Sequence, residues 1–182
     1  MITLNDKEYV REHIRKVPNF PKEGILFLDI TTAVKDSEAM QKMIEFLYER
    51  YKNENVDYIA GIESRGFIFG AALAYKLNCG FIPIRKPNKL PAETISESYS
   101  LEYGTDTIEI HADAVKQGDR VVVVDDLLAT GGTAVAACNL VKKVGGELLE
   151  AAFIIELTPL KGREKIEENG YKVVSMLDYD LD

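Results

Sequence analysis

The stretch VVVVDDLLATGGTAVAA, from Val121 to Ala137, constrains the fold more than any other part of the chain. Four consecutive valines offer no polar face, so they read as a strand buried on both sides, the condition of a sheet with helices on each face. The Thr-Gly-Gly-Thr run that follows reads as a tight loop, and the small residues from Ala134 onward read as a helix. Strand, Gly-rich turn and helix N-terminus together make an anion-binding corner, because the first amides of a helix have no partner within it. Two carboxylates, Asp125 and Asp126, stand between strand and loop. They would repel a bare phosphate. A ligand with a phosphate at one end and hydroxyls a few ångströms away satisfies both features, and a phosphorylated ribose is of that kind.

The rest of the chain supports the same architecture. VDYIAGI, GFIPI, ELLEAAFIIEL and YKVVSML read as further strands, and RGFIFGAALAYKL, TAVAACNLVKKV and LKGREKIEEN as helices. Met40, Met43, Ile44, Leu47, Tyr48 and Tyr51 recur at helical spacing after Ser37. Asn5 with Glu8 suggests a capping box for a first helix, which VPNFP ends, and EGILFLDITTAV is strand-like or loop-like. Strands alternating with helices predict an α/β fold: a mostly parallel twisted sheet flanked by helices, in one domain over residues 1–182. Residues 85–111 break the rhythm. They open with prolines and basic residues and end in DTIEIH, which alternates as an antiparallel strand does. They predict a β-hairpin hood that leaves the sheet, either a lid or a plain surface insertion.

Charge and composition exclude several classes. A net charge of −8 and a pI near 4.9 argue against a general nucleic-acid binder. No apolar run approaches the roughly 20 residues of a membrane span, and the charged start MITLNDKEYVREHIRKV does not read as a secretory signal. Cys79 and Cys138 sit in apolar contexts, as small buried hydrophobes do in a reducing cytoplasm. His13 and His111 lack nearby His or Cys partners, so no zinc site is expected. The Walker string and the G-x-G-x-x-G fingerprint are both absent.

Other candidate groups stand at predicted strand ends. Ser64, Arg65 and Gly66 follow VDYIAGI, and there a guanidinium suits a diphosphate. Arg85, Lys86 and Lys89 form a local basic cluster, which reads as either a solvated loop or a polyanion-attracting patch. Phe27 in GILFLDI can stack on a planar base or simply fill the core. Asp125 and Asp126 could also hold a hydrated Mg²⁺.

VVVVDDLLATGGT resembles the phosphoribosyl pyrophosphate (PRPP) motif of type I phosphoribosyltransferases. FPKEGILFLDIT, GIESRGFIFG, RKPNKLP and SYSLEYGTDTIEIH are similar, in order and over nearly the whole chain, to the adenine-specific branch of that family. The resemblance implies transfer of a phosphoribosyl group from PRPP to adenine, with Mg²⁺ as cofactor and a homodimer as the assembly. It implies that Asp125 and Asp126 hold the ribose and that Leu128, Ala129, Thr130, Gly131, Gly132 and Thr133 hold its 5-phosphate. Ser64, Arg65, Arg85, Lys86 and Lys89 would face the diphosphate, with a cis peptide between Glu63 and Ser64. Glu102 would handle a proton and Tyr103 would help cover the site. Residues 1–35 would contribute the base pocket, where the Leu26 carbonyl accepts from the exocyclic amine, the Leu28 amide donates to a ring nitrogen and Phe27 stacks. Many family members carry a basic residue where this chain has Leu28. A non-enzymatic PRPP sensor and a transferase for 6-oxopurines are the competing readings.

Overall fold

The computed structural model describes residues 2–100 and 104–180. Five parallel strands form the central sheet: β3 (Tyr58–Ile62), β4 (Gly80–Ile84), β7 (Arg120–Leu128), β8 (Glu147–Leu157) and β9 (Val173–Tyr179), in the order β4-β3-β7-β8-β9. The valines of β7 sit at its centre and alternate between two cores. Val122 and Val124 face a layer built from α1 (Leu4–His13), α2 (Thr31–Lys35), α3 (Ser37–Tyr51) and α4 (Gly66–Leu77). Val121 and Val123 face α5 (Gly132–Lys143), α6 (Gly162–Glu168) and the hairpin strand β6 (Thr105–His111). Both faces are therefore covered, as four adjacent valines require. None of the described helices is long and apolar enough to cross a membrane.

The predicted hairpin is present as β5 (Thr94–Ser100) paired antiparallel with β6, in a separate sheet from the main one. It is tied down on two sides. Ile108 and Ile110 are buried in the core under α5, and Glu97 accepts from Asn139 at 2.9 Å and pairs with Lys143, both on α5. A bridge between Arg85 and Glu109 joins β6 to the end of β4.

Three local expectations are corrected. The capping box of α1 is Thr3 with Asp6, not Asn5 with Glu8. Lys42 of α3 holds Asp6 at 2.6 Å, so a tertiary contact selects between two sequences that both fit the pattern. β7 does not stop at Val124: Asp125 pairs with Phe153, Leu127 with Ile155 and Leu128 with Glu156, so the acid pair lies inside the strand. The segment EGILFLDITTAV divides into β2 (Leu26–Asp29), paired antiparallel with β1 (Arg15–Pro18), and then α2.

At the opposite end of the sheet from the strand carboxyl termini, Glu150 of β8 is 4% exposed. It accepts from Arg50 at 2.8 and 2.9 Å and from the buried Tyr51 hydroxyl at 2.8 Å. Losing that hydroxyl removes a buried donor to a charged group, worth about 1.5–3 kcal/mol. Tyr51→Phe should therefore lower the melting temperature by about 3–12 °C at this chain size. Turnover at saturating substrate should be unchanged, and calorimetry beside a rate assay checks both halves.

Candidate active site

The carboxyl ends of β3 and β7 meet at one corner, because the two strands pair in parallel with Gly61 opposite Val124. The loop after β7 leads into α5 through Gly131, whose φ of 78° is left-handed and favours glycine. Leu128, Ala129, Thr130, Gly131, Gly132 and Thr133 line a cavity of about 100 Å³ together with Asp125 and Phe153. All six residues expected at the 5-phosphate thus surround one small concavity at the start of a helix. The Leu128 side chain is buried, so the main chain and the threonines present the polar groups there.

The acid pair is divided between two environments. Asp126 is 4% exposed and pairs with the Arg65 guanidinium. Asp125 accepts from the Asp126 amide at 2.8 Å through Oδ1. The start of α4 lies directly against Asp125: a methyl group on Gly66 would sit 2.7 Å from the Val124 carbonyl and 2.9 Å from Asp125 Oδ1. Burial, and then the neighbouring Asp126, push the Asp125 carboxyl well above the usual carboxylate range. Burial is the largest influence on Arg65 and works against its charge, but the hydrogen bond to Asp126 and the charges of Asp126, Asp125 and Asp29 together hold the guanidinium above its ordinary value.

Arg65 also lines a second cavity, of about 380 Å³, with Val17, Phe20, Phe27, Leu28, Asp29, Ile30 and Thr31. Phe20 meets Phe27 edge to face at 5.2 Å and is half-exposed, which leaves a wide apolar cleft at the β1–β2 hairpin. Leu28 is 4% exposed and packs in the core, so its side chain fills space that a basic residue could not occupy as cheaply. Leu26 stands two residues before it on β2. Thr31 donates to Asp29 from its hydroxyl at 2.6 Å and its amide at 3.0 Å, and these bonds lower the Asp29 carboxyl below its ordinary value. Phe20, Asp29 and Thr31 escape sequence reasoning because nothing in their spacing separates a cleft wall from a strand end.

The expected cis peptide between Glu63 and Ser64 is present. The basic cluster is not simply a free patch, because Arg85 and Lys86 are paired with carboxylates. Arg85 donates to both Glu63 oxygens at 3.1 Å, the Lys86 amide donates to Glu63 at 3.0 Å, and the Lys86 ammonium pairs with Asp106. Tyr99, opposite Asp106 in the hairpin register, donates to the same carboxylate at 3.2 Å. Lys89 is exposed, and its main-chain carbonyl accepts from Arg85 at 3.3 Å. Ser100 lies beside the phosphate loop, its carbonyl 3.5 Å from where a methyl on Gly132 would sit. Glu102 and Tyr103 lie outside the described residues. Among the described residues no group of three or more His, Cys, Asp or Glu is arranged to hold a metal ion.

A family model described as a phosphoribosyl transferase domain matches residues 31–180. An adenine phosphoribosyltransferase of Koribacter versatilis is 55% identical over 171 residues, 94% of this chain and 93% of the relative. One of Halothermothrix orenii is 57% identical over 168 residues, 92% of this chain and 98% of the relative. The crystal structure of the enzyme from Thermoanaerobacter pseudethanolicus, 51% identical, matches with a TM-score of 0.90 over 95% of this chain and 99% of that one. The enzyme from Saccharomyces cerevisiae was crystallised with adenine and D-2,5-dideoxy-2,5-imino-altritol 1,6-bisphosphate. It is 41% identical and matches with a TM-score of 0.89 over 96% of this chain and 100% of that one. With the acid pair, the Thr-Gly-Gly-Thr loop and the apolar cleft of this fold at one strand end, the chain belongs to the phosphoribosyltransferase family, in its adenine phosphoribosyltransferase branch.

Proposed function

We propose that the chain transfers the 5-phosphoribosyl group of PRPP to adenine, giving AMP and diphosphate. One observation carries this reading. Arg65 lines an apolar cleft that holds aromatic rings and pairs with Asp126, whose neighbour Asp125 lines a helix-start cavity that suits an anion. A flat base at one end, hydroxyls in the middle and a phosphate at the other end is the layout of a nucleoside monophosphate.

In this reading the loop amides and the Thr130 and Thr133 hydroxyls bind the 5-phosphate. Asp125 and Asp126 accept from the ribose hydroxyls. The bond from C1 to the diphosphate oxygen breaks, and its electron pair leaves with the diphosphate while the adenine nitrogen bonds to C1. Positive charge builds on the ribose ring, and the nearby carboxylates stabilise it. Arg65 and Ser64, with the cations Arg85, Lys86 and Lys89 behind them, take the leaving diphosphate. Glu102 accepts the proton lost by the base, and Tyr103 and the hairpin exclude water that would otherwise hydrolyse PRPP. Ser100, held against Gly132, supports that reading because it brings the hairpin strand to the loop's mouth. Asp125 and Asp126 are hard oxygen donors, and two carboxylates suit a Mg²⁺ that is held mainly by substrate phosphates and water. Bound there, Mg²⁺ would neutralise charge on the leaving diphosphate. A homodimer is the proposed assembly.

Turnover with PRPP, Mg²⁺ and each of adenine, hypoxanthine, guanine and xanthine tests the reading. Adenine should be preferred by about 100-fold or more, because a 6-oxo group would set an acceptor against the Leu26 carbonyl. Equal or better use of a 6-oxopurine would overturn the adenine assignment, and no turnover with any base would overturn the enzyme.

The acid pair also predicts a conflict between stability and activity. The folded-state value of Asp125 is raised above its unfolded value, so the folded state binds that proton more tightly. Stability is therefore lost as pH rises from about 4 through the folded value, and at neutral pH the charge is a cost. Asp125→Asn removes the charge and keeps an oxygen for the Asp126 amide. At pH 7.5 it should raise the melting temperature, the gain shrinking toward pH 4, while kcat/KM falls about 100-fold or more. A lowered melting temperature at pH 7.5 would contradict this account.

A further inference from the structure

The turn that joins β8 to α6 runs through a 3-10 segment (Thr158–Leu160) and Lys161, and it backs onto the phosphate loop. The contact is main chain to main chain. A methyl group on Gly162 would overlap the Ala129 carbonyl oxygen and lie 2.8 and 2.9 Å from Leu128 Cδ1 and Cγ. A methyl group on Gly131 would in turn lie 2.7 Å from the Gly162 carbonyl oxygen. Neither partner has room for a side chain, and on both sides the single nearest obstacle is a backbone carbonyl oxygen that cannot swing away. The turn is anchored from below. Thr158 donates to the Tyr179 carbonyl at 3.1 Å, and Arg163 donates to the buried Glu156 at 2.5 and 3.0 Å and to the Val173 carbonyl at 3.1 Å. Lys161 accepts a left-handed φ of 55° to enter α6 at this angle. One turn further on, Lys165 Nζ stands 3.8 Å from where a methyl on Gly132 would sit, so α6 meets the loop a second time.

We infer that Gly162 is a positioning residue for the phosphate loop: lacking a side chain, it lets a rigid turn seat against Leu128–Gly131 and so fixes where the loop amides point. The inference rests on reading that loop as the 5-phosphate site. Gly162 touches no substrate and acts through the loop. Displacing the loop's backbone should weaken the grip on phosphate while leaving the base cleft on β2 untouched, since misplacement of about 1 Å can cost up to about 100-fold.

The test compares wild type, Gly162→Ala and Gly170→Ala by steady-state kinetics and by thermal protection with ribose 5-phosphate. Gly170 is the control: its φ of 78° makes alanine strained, but a methyl group there meets nothing within 4 Å. Gly162→Ala should raise KM for PRPP about 10-fold or more, keep KM for adenine within about 2-fold, and lose the protection given by ribose 5-phosphate. Gly170→Ala should melt earlier with both KM values and the protection intact. If the wild type is protected and Gly162→Ala is protected equally, or has the wild-type KM for PRPP, the inference falls and the phosphate site stands. If ribose 5-phosphate does not protect the wild type, both fall. Should Gly162→Ala yield no folded protein, Arg163→Lys decides. It leaves Gly162 in place and loosens the anchor, and an unchanged KM for PRPP in that variant overturns the inference.

Discussion

Two adjacent carboxylates at the end of a buried parallel strand are the constraint around which the site is arranged. Adjacent strand residues point to opposite faces, yet Asp125 and Asp126 remain close enough for charge to matter where water is excluded, and Asp126 helps push the Asp125 carboxyl up. The fold answers with groups from a neighbouring strand. β3 runs parallel to β7, so the loop that follows β3 ends at the same corner and delivers Arg65 to Asp126. The first turn of α4 then packs against Asp125. Gly66 makes that approach feasible, since any side chain there would strike the β7 backbone. One cation and one helix start thus flank the pair, and they come from the segment proposed to meet the leaving diphosphate. The groups that keep the acids in place and the groups that would receive diphosphate are the same groups.

The central sheet was legible because its strands are apolar on both faces, and only a parallel sheet covered by helices buries such strands. The anion corner was legible because Gly131 and Gly132 stand just where strand gives way to helix. Contacts set by distant partners were not legible. β7 extends through its acids because β8 pairs with it beyond Val124, and nothing within β7 encodes that. The choice of Thr3 over Asn5 as helix cap depends on Lys42, far along the chain. Among the described residues β1 pairs only with β2, and it is mostly exposed, so its pattern carries no burial signal. Arg85 and Lys86 read as a bare basic patch because their carboxylates, Glu63 and Asp106, are contributed by other elements.

Those pairs change what the cluster can do. Glu63 holds Arg85 and the Lys86 amide, and Asp106 with Tyr99 holds the Lys86 ammonium, so one chain of contacts joins the loop after β3 to the hairpin. Arg85 holds the Glu63 carboxyl below its ordinary value, and Lys86 does the same for Asp106, so both acids stay charged at neutral pH. The side chains are partly exposed, about 42% for Lys86 and 31% for Asp106, and such pairs contribute about 1 kcal/mol or less. Cations held this loosely can exchange a carboxylate for a polyanion at little cost. An acidic chain of net charge −8 can therefore present positive charge locally without leaving it unpaired, and transfer of Lys86 from Asp106 to a diphosphate would alter the footing of the hairpin at the same moment.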